Sequence, residues 1–210
     1  MNNSHLEVKL ELRRHFLRKY HGRDARVFDA FQAAGVIWST LKKEFALASY
    51  WGVDLLEKKG RIKVDSARVL QQEGWRENVI DLDAYGSPWA HYSNMLRTAD
   101  HSLTVFLTLG SRKGIQRRPL TKMEKAALGI SFKIPPAIGS ALSEVVLEWM
   151  LARACARFQV AECLEAGPCS TARYFGMRLE LRPESPIANE PMAKPSSPTI
   201  PSQAGRQSRS

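Results

Sequence analysis

Between Arg26 and Thr108, short apolar segments rich in β-branched and aromatic residues alternate with segments of helical spacing. That alternation confines the chain to a small set of folds. Arg26-Val27-Phe28-Asp29-Ala30-Phe31 reads as a buried strand, and Val36 to Phe45 as a helix with Val36, Ile37, Leu41 and Phe45 available for one face. Strands over 47–55, 61–64, 78–83 and 103–108 follow, with a brief helix at 67–70 and another containing Tyr92 to Leu96. Strands and helices in this order imply βαβ units, hence parallel strands with helices on both faces. A long helix over 140–158 and strands over 159–164 and 174–181 complete the pattern, the last two as an antiparallel hairpin around Glu165-Ala166-Gly167-Pro168. The expected class is α/β, with a mostly parallel sheet of seven strands.

In open sheets of this kind a ligand sits beyond the carboxyl ends of the strands, where strand order reverses. Small or acidic residues stand at that end of every early strand: Asp29, Ala33 and Gly35 after the first, Asp54 after the second, Asp65 and Ser66 after the third, Asp81 and Asp83 at the fourth. One aspartate there has ordinary readings, such as a loop residue or a helix cap. Four successive strand ends bearing aspartate point to a shared polar site.

The spacing of Asp29, Phe31, Ala33 and Gly35 resembles the first motif of class I S-adenosylmethionine-dependent methyltransferases, an acidic residue followed by small residues two, four and six positions on. One glycine stands where that family often has three. A dinucleotide site would need G-x-G-x-x-G to admit a pyrophosphate at the helix N-terminus, and Ala33 and Ala34 crowd that position, whereas a cofactor without phosphates demands less. The resemblance implies a Rossmann-like seven-stranded methyltransferase sheet that binds S-adenosyl-L-methionine. It places Asp29, Phe31, Ala33, Gly35, Asp54, Asp65, Ser66 and Asp81 around the cofactor, with Asp54 on the ribose hydroxyls and Asp65 and Ser66 at the adenine.

Asp81-Leu82-Asp83-Ala84-Tyr85-Gly86-Ser87-Pro88 is similar to the catalytic segment of amino-methylating methyltransferases, most of all the D-x-D-P-F/Y-G-S-P stretch of tRNA guanine-26 N2-dimethyltransferases. Ala84 stands where that stretch has proline. The resemblance implies that Asp83 orients an exocyclic amine and helps remove its proton, that Tyr85 stacks on the flipped base, and that Pro88 borders the substrate. Trp89, His91 and Tyr92 follow, where they could line the pocket rim; each is read as a packing residue rather than a stacking platform. The likeness covers roughly residues 25–110.

Charge adds a partner. Thirty-one Lys and Arg against 21 Asp and Glu give +10, which favours a polyanion. Residues 111–125 carry Arg112, Lys113, Arg117, Arg118, Lys122 and Lys125 against Glu124, and follow the fifth strand onto the side of the site. Arg112, Lys113, Arg117 and Arg118 are the expected phosphate contacts. Residues 1–24 read as a basic amphipathic helix with a solvated or phosphate-facing cationic side, 25–182 as the methyltransferase domain, and 183–210, with six prolines and six serines, as a disordered tail. Cys155, Cys163 and Cys169 lack metal-ligand spacing, and the N-terminus lacks a signal peptide's pattern. The expectation is a cytoplasmic N-methyltransferase that uses no metal and acts on nucleic acid, RNA before DNA, with a protein partner or homodimer left open. A DNA amino-methyltransferase and a nucleic-acid-binding protein on a decayed methyltransferase scaffold remain as rivals.

Overall fold

The computed structural model describes residues 5–55, 62–84, 87–110, 122–127, 129–133, 135, 142–166 and 172–183. Helix α1 (Leu6–Phe16) runs into a π-helical turn (Leu17–His21). There follow β1 (Arg26–Asp29), α2 (Val36–Glu44), β2 (Ser49–Asp54), β3 (Ile62–Lys63), α3 (Ser66–Val69), β4 (Val79–Leu82), α4 (Trp89–Thr98) and β5 (Leu103–Gly110). Helices α5 (Lys122–Ala127) and α6 (Ser143–Ala152), a 3₁₀ turn (Arg153–Ala156), β6 (Phe158–Ala166) and β7 (Ala172–Leu181) complete the described chain. The sheet has seven strands in the order β3-β2-β1-β4-β5-β7-β6. The first five pair in parallel, while β7 runs antiparallel to both β5 and β6, as the hairpin reading anticipates.

Alternation along the strands divides the core. Val27, Val79 and Phe106 face Leu10 and Phe16 of α1 and Trp38 and Leu41 of α2. Their neighbours Phe28, Ile80 and Val105 face Tyr92 and Met95 of α4 and Val146 and Met150 of α6. Helices therefore cover both faces of an α/β sheet. Trp89 and Tyr92 are buried in this second layer, which is the packing role expected of them. Among the described residues no helix is long and apolar enough to cross a membrane.

Several boundaries differ from the sequence reading: the helix expected over 140–158 ends at Ala152 and gives way to the 3₁₀ turn and to β6 from Phe158, and two further differences have local reasons. Strand β1 stops at Asp29, sooner than its apolar run suggests, because the Phe31 amide turns back onto the Asp29 carboxylate at 3.2 Å. Part of the segment read as a basic loop, from Lys122 onward, is the helix α5. Its cationic stretch, with Arg112, Lys113, Arg117 and Arg118, lies outside the described residues, as do Tyr85 and residues 184–210.

Helix α1 lies directly on β7. A Cβ at Gly176 would overlap the Phe16 ring, coming within 2.9 Å of its Cδ2. The missing side chain is what lets the helix approach so closely. Gly176→Ala is expected to destabilise the protein by about 1–3 kcal/mol, the range for overpacking a filled core, because Phe16 is fully buried against Phe106 and cannot step aside. Urea denaturation measures this, and an unchanged midpoint would show that α1 is loosely seated.

Candidate functional site

Strand order reverses between β1 and β4, and a cleft of about 580 Å³, its open mouth included, lies at their carboxyl ends. Asp29, Phe31, Ala33, Gly35, Asp81 and Asp83 line it from the sheet side, and His5, Lys9 and Trp38 from the helices. Six of the residues singled out in the sequence are thus brought to one place. Asp54, Asp65 and Ser66 are not among its lining residues.

The loop from β1 to α2 forms the wall of this cleft. Gly35 adopts a left-handed conformation (φ 67°) as the residue before α2, and its amide bonds to Gln32 O at 2.6 Å. Ala33 also has positive φ (45°), a strained choice for a residue with a side chain. Asp54 holds it there: Oδ2, at the end of β2, accepts from the Ala33 amide at 3.0 Å. Asp65 caps α3, its Oδ1 accepting from the Ala67 amide at 2.9 Å. Ser66 is buried, with Oγ 3.0 Å from Nε2 of His91, and the His91 ring packs on Phe31 with centroids 4.7 Å apart. Burial pushes the His91 pKa below its ordinary value against the opposing charge of Asp65.

Beneath the loop, Asp29 and Asp81 are register partners on adjacent strands. Asp81, placed among the cofactor contacts in the sequence reading, is engaged otherwise. Arg13 donates to it bidentately (Nε to Oδ2 2.9 Å, Nη2 to Oδ1 2.6 Å), and Trp38 Nε1 donates to Oδ2 at 2.7 Å. With 1% exposure its carboxylate braces the cleft floor. Asp29 accepts from the Phe31 amide and from Tyr50 Oη at 3.1 Å. Burial first, then the charge of Asp81, pushes the Asp29 pKa up to about 8, against the lowering effect of those two donors and of Arg13.

Asp83, just beyond β4, is bound by Lys9, whose Nζ lies 2.7 Å from each carboxylate oxygen. Burial raises its pKa, but the charges of Arg13 and Lys9, with hydrogen bonds from Lys9 and Thr108, outweigh burial and hold it below the usual carboxylate range. At Ala84 the amide donates to Leu82 O at 2.8 Å, closing a tight turn with an N–H that proline lacks. Pro88 is the residue before α4, and its carbonyl accepts from the Tyr92 amide.

Lys9, Arg13, Trp38 and Tyr50 contact the aspartates of the candidate site, and the sequence reading did not place them there. Lys9 and Arg13 stand four apart on α1 and share a face with Leu6 and Leu10, a spacing that could have revealed them as inward cations. Of the other cations on that helix, Arg14 pairs with Glu7, Glu11 and Glu44. In the π-helical turn that follows, Lys19 pairs with Glu162 on β6.

Among solved structures, the chain is similar to Trm1 from Pyrococcus horikoshii in complex with S-adenosyl-L-methionine. The TM-score is 0.58 at 16% identity, and the likeness covers 86% of this chain and 56% of that one. The fold is that of class I methyltransferases. It is also similar to magnesium protoporphyrin IX methyltransferase (ChlM) from Synechocystis PCC 6803 with bound SAH, with TM-score 0.51, 16% identity, and 83% and 82% of the two chains covered. N-methyltransferase NodS from Bradyrhizobium japonicum WM9 gives TM-score 0.50 at 13% identity, over 83% and 95%. The chain thus spans little more than half the length of Trm1. No family model matches the sequence, and no curated protein matches it.

The paired aspartates make stability depend on pH. An Asp29 carboxyl whose folded pKa is about 8 contributes stability that is complete near pH 4, falls as the pH climbs towards 8, and levels off above it. Asp29→Asn cannot ionise. The stability of wild type relative to this variant is therefore expected to fall between pH 5 and 8. Taking the difference removes His21 and His91, which burial holds neutral and which act in the opposite direction in both proteins. Urea titrations at pH 5, 6.5 and 8 measure it, and parallel profiles would mean that Asp29 is ionised throughout.

Proposed function

We propose that this chain is an S-adenosylmethionine-dependent methyltransferase acting on an exocyclic amino nitrogen of a nucleic-acid base, RNA in preference to DNA. The observation that carries the reading is the cleft at the strand-order reversal, with the tight Ala33–Gly35 loop on one side and Asp83 on the other. Ala33 and Gly35 both take left-handed conformations in this loop, and Asp54 accepts from the Ala33 amide. Of the residues present, the Phe31–Gly35 loop lines the cleft and would hold a phosphate-free cofactor; Asp54, Asp65 and Ser66 do not line it, and their proposed places at the ribose and adenine rest on the family resemblance. Structures of Trm1 and ChlM hold S-adenosylmethionine or its demethylated product within the same fold. When bound, such a cofactor supplies an electrophilic methyl carbon.

The chain's own residues do the remaining work. Asp83, ionised and at the mouth of the site, accepts from the acceptor amine, turns its lone pair inward and takes up its proton. Tyr85 supplies a ring on which a flipped base stacks. Pro88 starts α4 and borders the base. Asp29 and Asp81 set the floor. Arg112, Lys113, Arg117 and Arg118, together with the net charge of +10, support a phosphate track and a polynucleotide substrate.

Calorimetry with S-adenosylhomocysteine and single-turnover transfer of a labelled methyl group to unmodified tRNA transcripts test this. Asp54→Ala is expected to weaken cofactor binding by about 1.5–3 kcal/mol. Asp83→Ala is expected to leave that affinity nearly intact while reducing transfer by about 10²–10⁴-fold. Wild-type transfer by a folded Asp83→Ala protein sinks the mechanism. Failure of the wild type to bind S-adenosylhomocysteine favours a decayed scaffold instead, and transfer to duplex DNA in place of RNA favours the DNA enzyme.

A further inference from the structure

We propose that Lys9 is a specificity latch: its ammonium holds the face of Asp83 that an acceptor amine must take, and a phosphate of a polynucleotide substrate draws it away. The proposal rests on the reading of Asp83 as the acceptor-facing carboxylate. Lys9 Nζ lies 2.7 Å from both Asp83 oxygens and 5.0 Å from the centroid of the Tyr174 ring, so the position is already built to hold an amine. An exocyclic amine would use the same oxygens. While Lys9 is seated, both are engaged.

The latch can open without unfolding anything. The side chains of Lys9 and Asp83 keep 19% and 17% exposure, against 2% and 1% for the Arg13–Asp81 pair one helical turn away. Arg13 Nη1 also donates to Lys9 O at 3.0 Å, which pins the Lys9 backbone and leaves the four-carbon stem as the part that moves. A neutral nucleoside amine competes poorly for a carboxylate against a tethered cation. A substrate that brings its own phosphate gives the ammonium a second anion, so displacement exchanges one ion pair for another. Lys9 would therefore admit polynucleotides and exclude free nucleosides, a selection made by an obstacle as much as by a contact.

Lys9→Met removes the charge and keeps the stem; Lys9→Arg keeps a cation. Methyl transfer from labelled S-adenosylmethionine is measured to unmodified tRNA transcripts and to a mixture of the four free ribonucleosides. Wild type and Lys9→Arg are expected to use the transcripts and leave nucleosides near background. Lys9→Met is expected to raise the ratio of nucleoside to transcript methylation at least tenfold, with a higher KM for transcripts. A ratio unchanged in Lys9→Met, or no transfer by it to either substrate while S-adenosylhomocysteine still binds, overturns the latch alone. If the wild type does not bind S-adenosylhomocysteine in calorimetry, the methyltransferase reading falls and the latch falls with it.

Discussion

Arg13 forks onto Asp81 where water does not reach, and Trp38 ties the same carboxylate from a second helix. The need for this arrangement comes from the sheet. Register places Asp29 beside Asp81 on neighbouring parallel strands, both pointing into the layer under α1 and α2. Two ionised carboxylates so close and so dry would repel strongly. One is neutralised by a guanidinium, and the other keeps its proton up to about pH 8. A buried pair of this kind adds little net stability, since desolvation offsets much of the attraction, but removing one partner typically costs about 3–5 kcal/mol. Its effect is positional: it specifies where α1 must lie.

With α1 so placed, the rest of the first layer follows. Leu10, Phe16 and Leu17 enter the core beside Val27 and Phe106, and Gly176 clears the space for Phe16. The N-terminal turn of the helix, carrying His5, Leu6 and Lys9, becomes one side of the cleft. An appendage in the sequence is in the fold a wall of the candidate site.

The layer architecture was legible because its signals are local and repeated. Strand-length apolar runs between helical segments expose βαβ order without knowledge of any long-range contact, and Asp29, Asp54, Asp65 and Asp83 declare the strand ends. The inward turn of the basic helix was not legible. Lys9 and Arg13 look like members of a solvated cationic face until their partners, Asp83 and Asp81, some seventy residues on, are known to lie beneath them. The same long-range pairing engages both carboxylate oxygens of Asp81, which still lines the cleft. Ala84 misleads in a third way: set against a family pattern it is a lost proline, while in the fold its N–H closes the turn to Leu82 O.

The two ion pairs between α1 and the end of β4 share one geometric origin. Residues two apart on a strand point to the same side and are separated by about 6.6 Å, while residues four apart on a helix share a face and are separated by about 6 Å along its axis. Lys9 and Arg13 therefore match Asp83 and Asp81 when the helix runs antiparallel to the strand, which is the pairing seen. A slip of α1 by one residue would turn both cations about 100° away and break both pairs together. The inner pair is closed to solvent and cannot exchange partners; the outer one lies at the cleft mouth and can. A rigid pair thus fixes the register of the outer one: with Arg13 seated on Asp81 and donating to Lys9 O, the Lys9 backbone is held opposite Asp83.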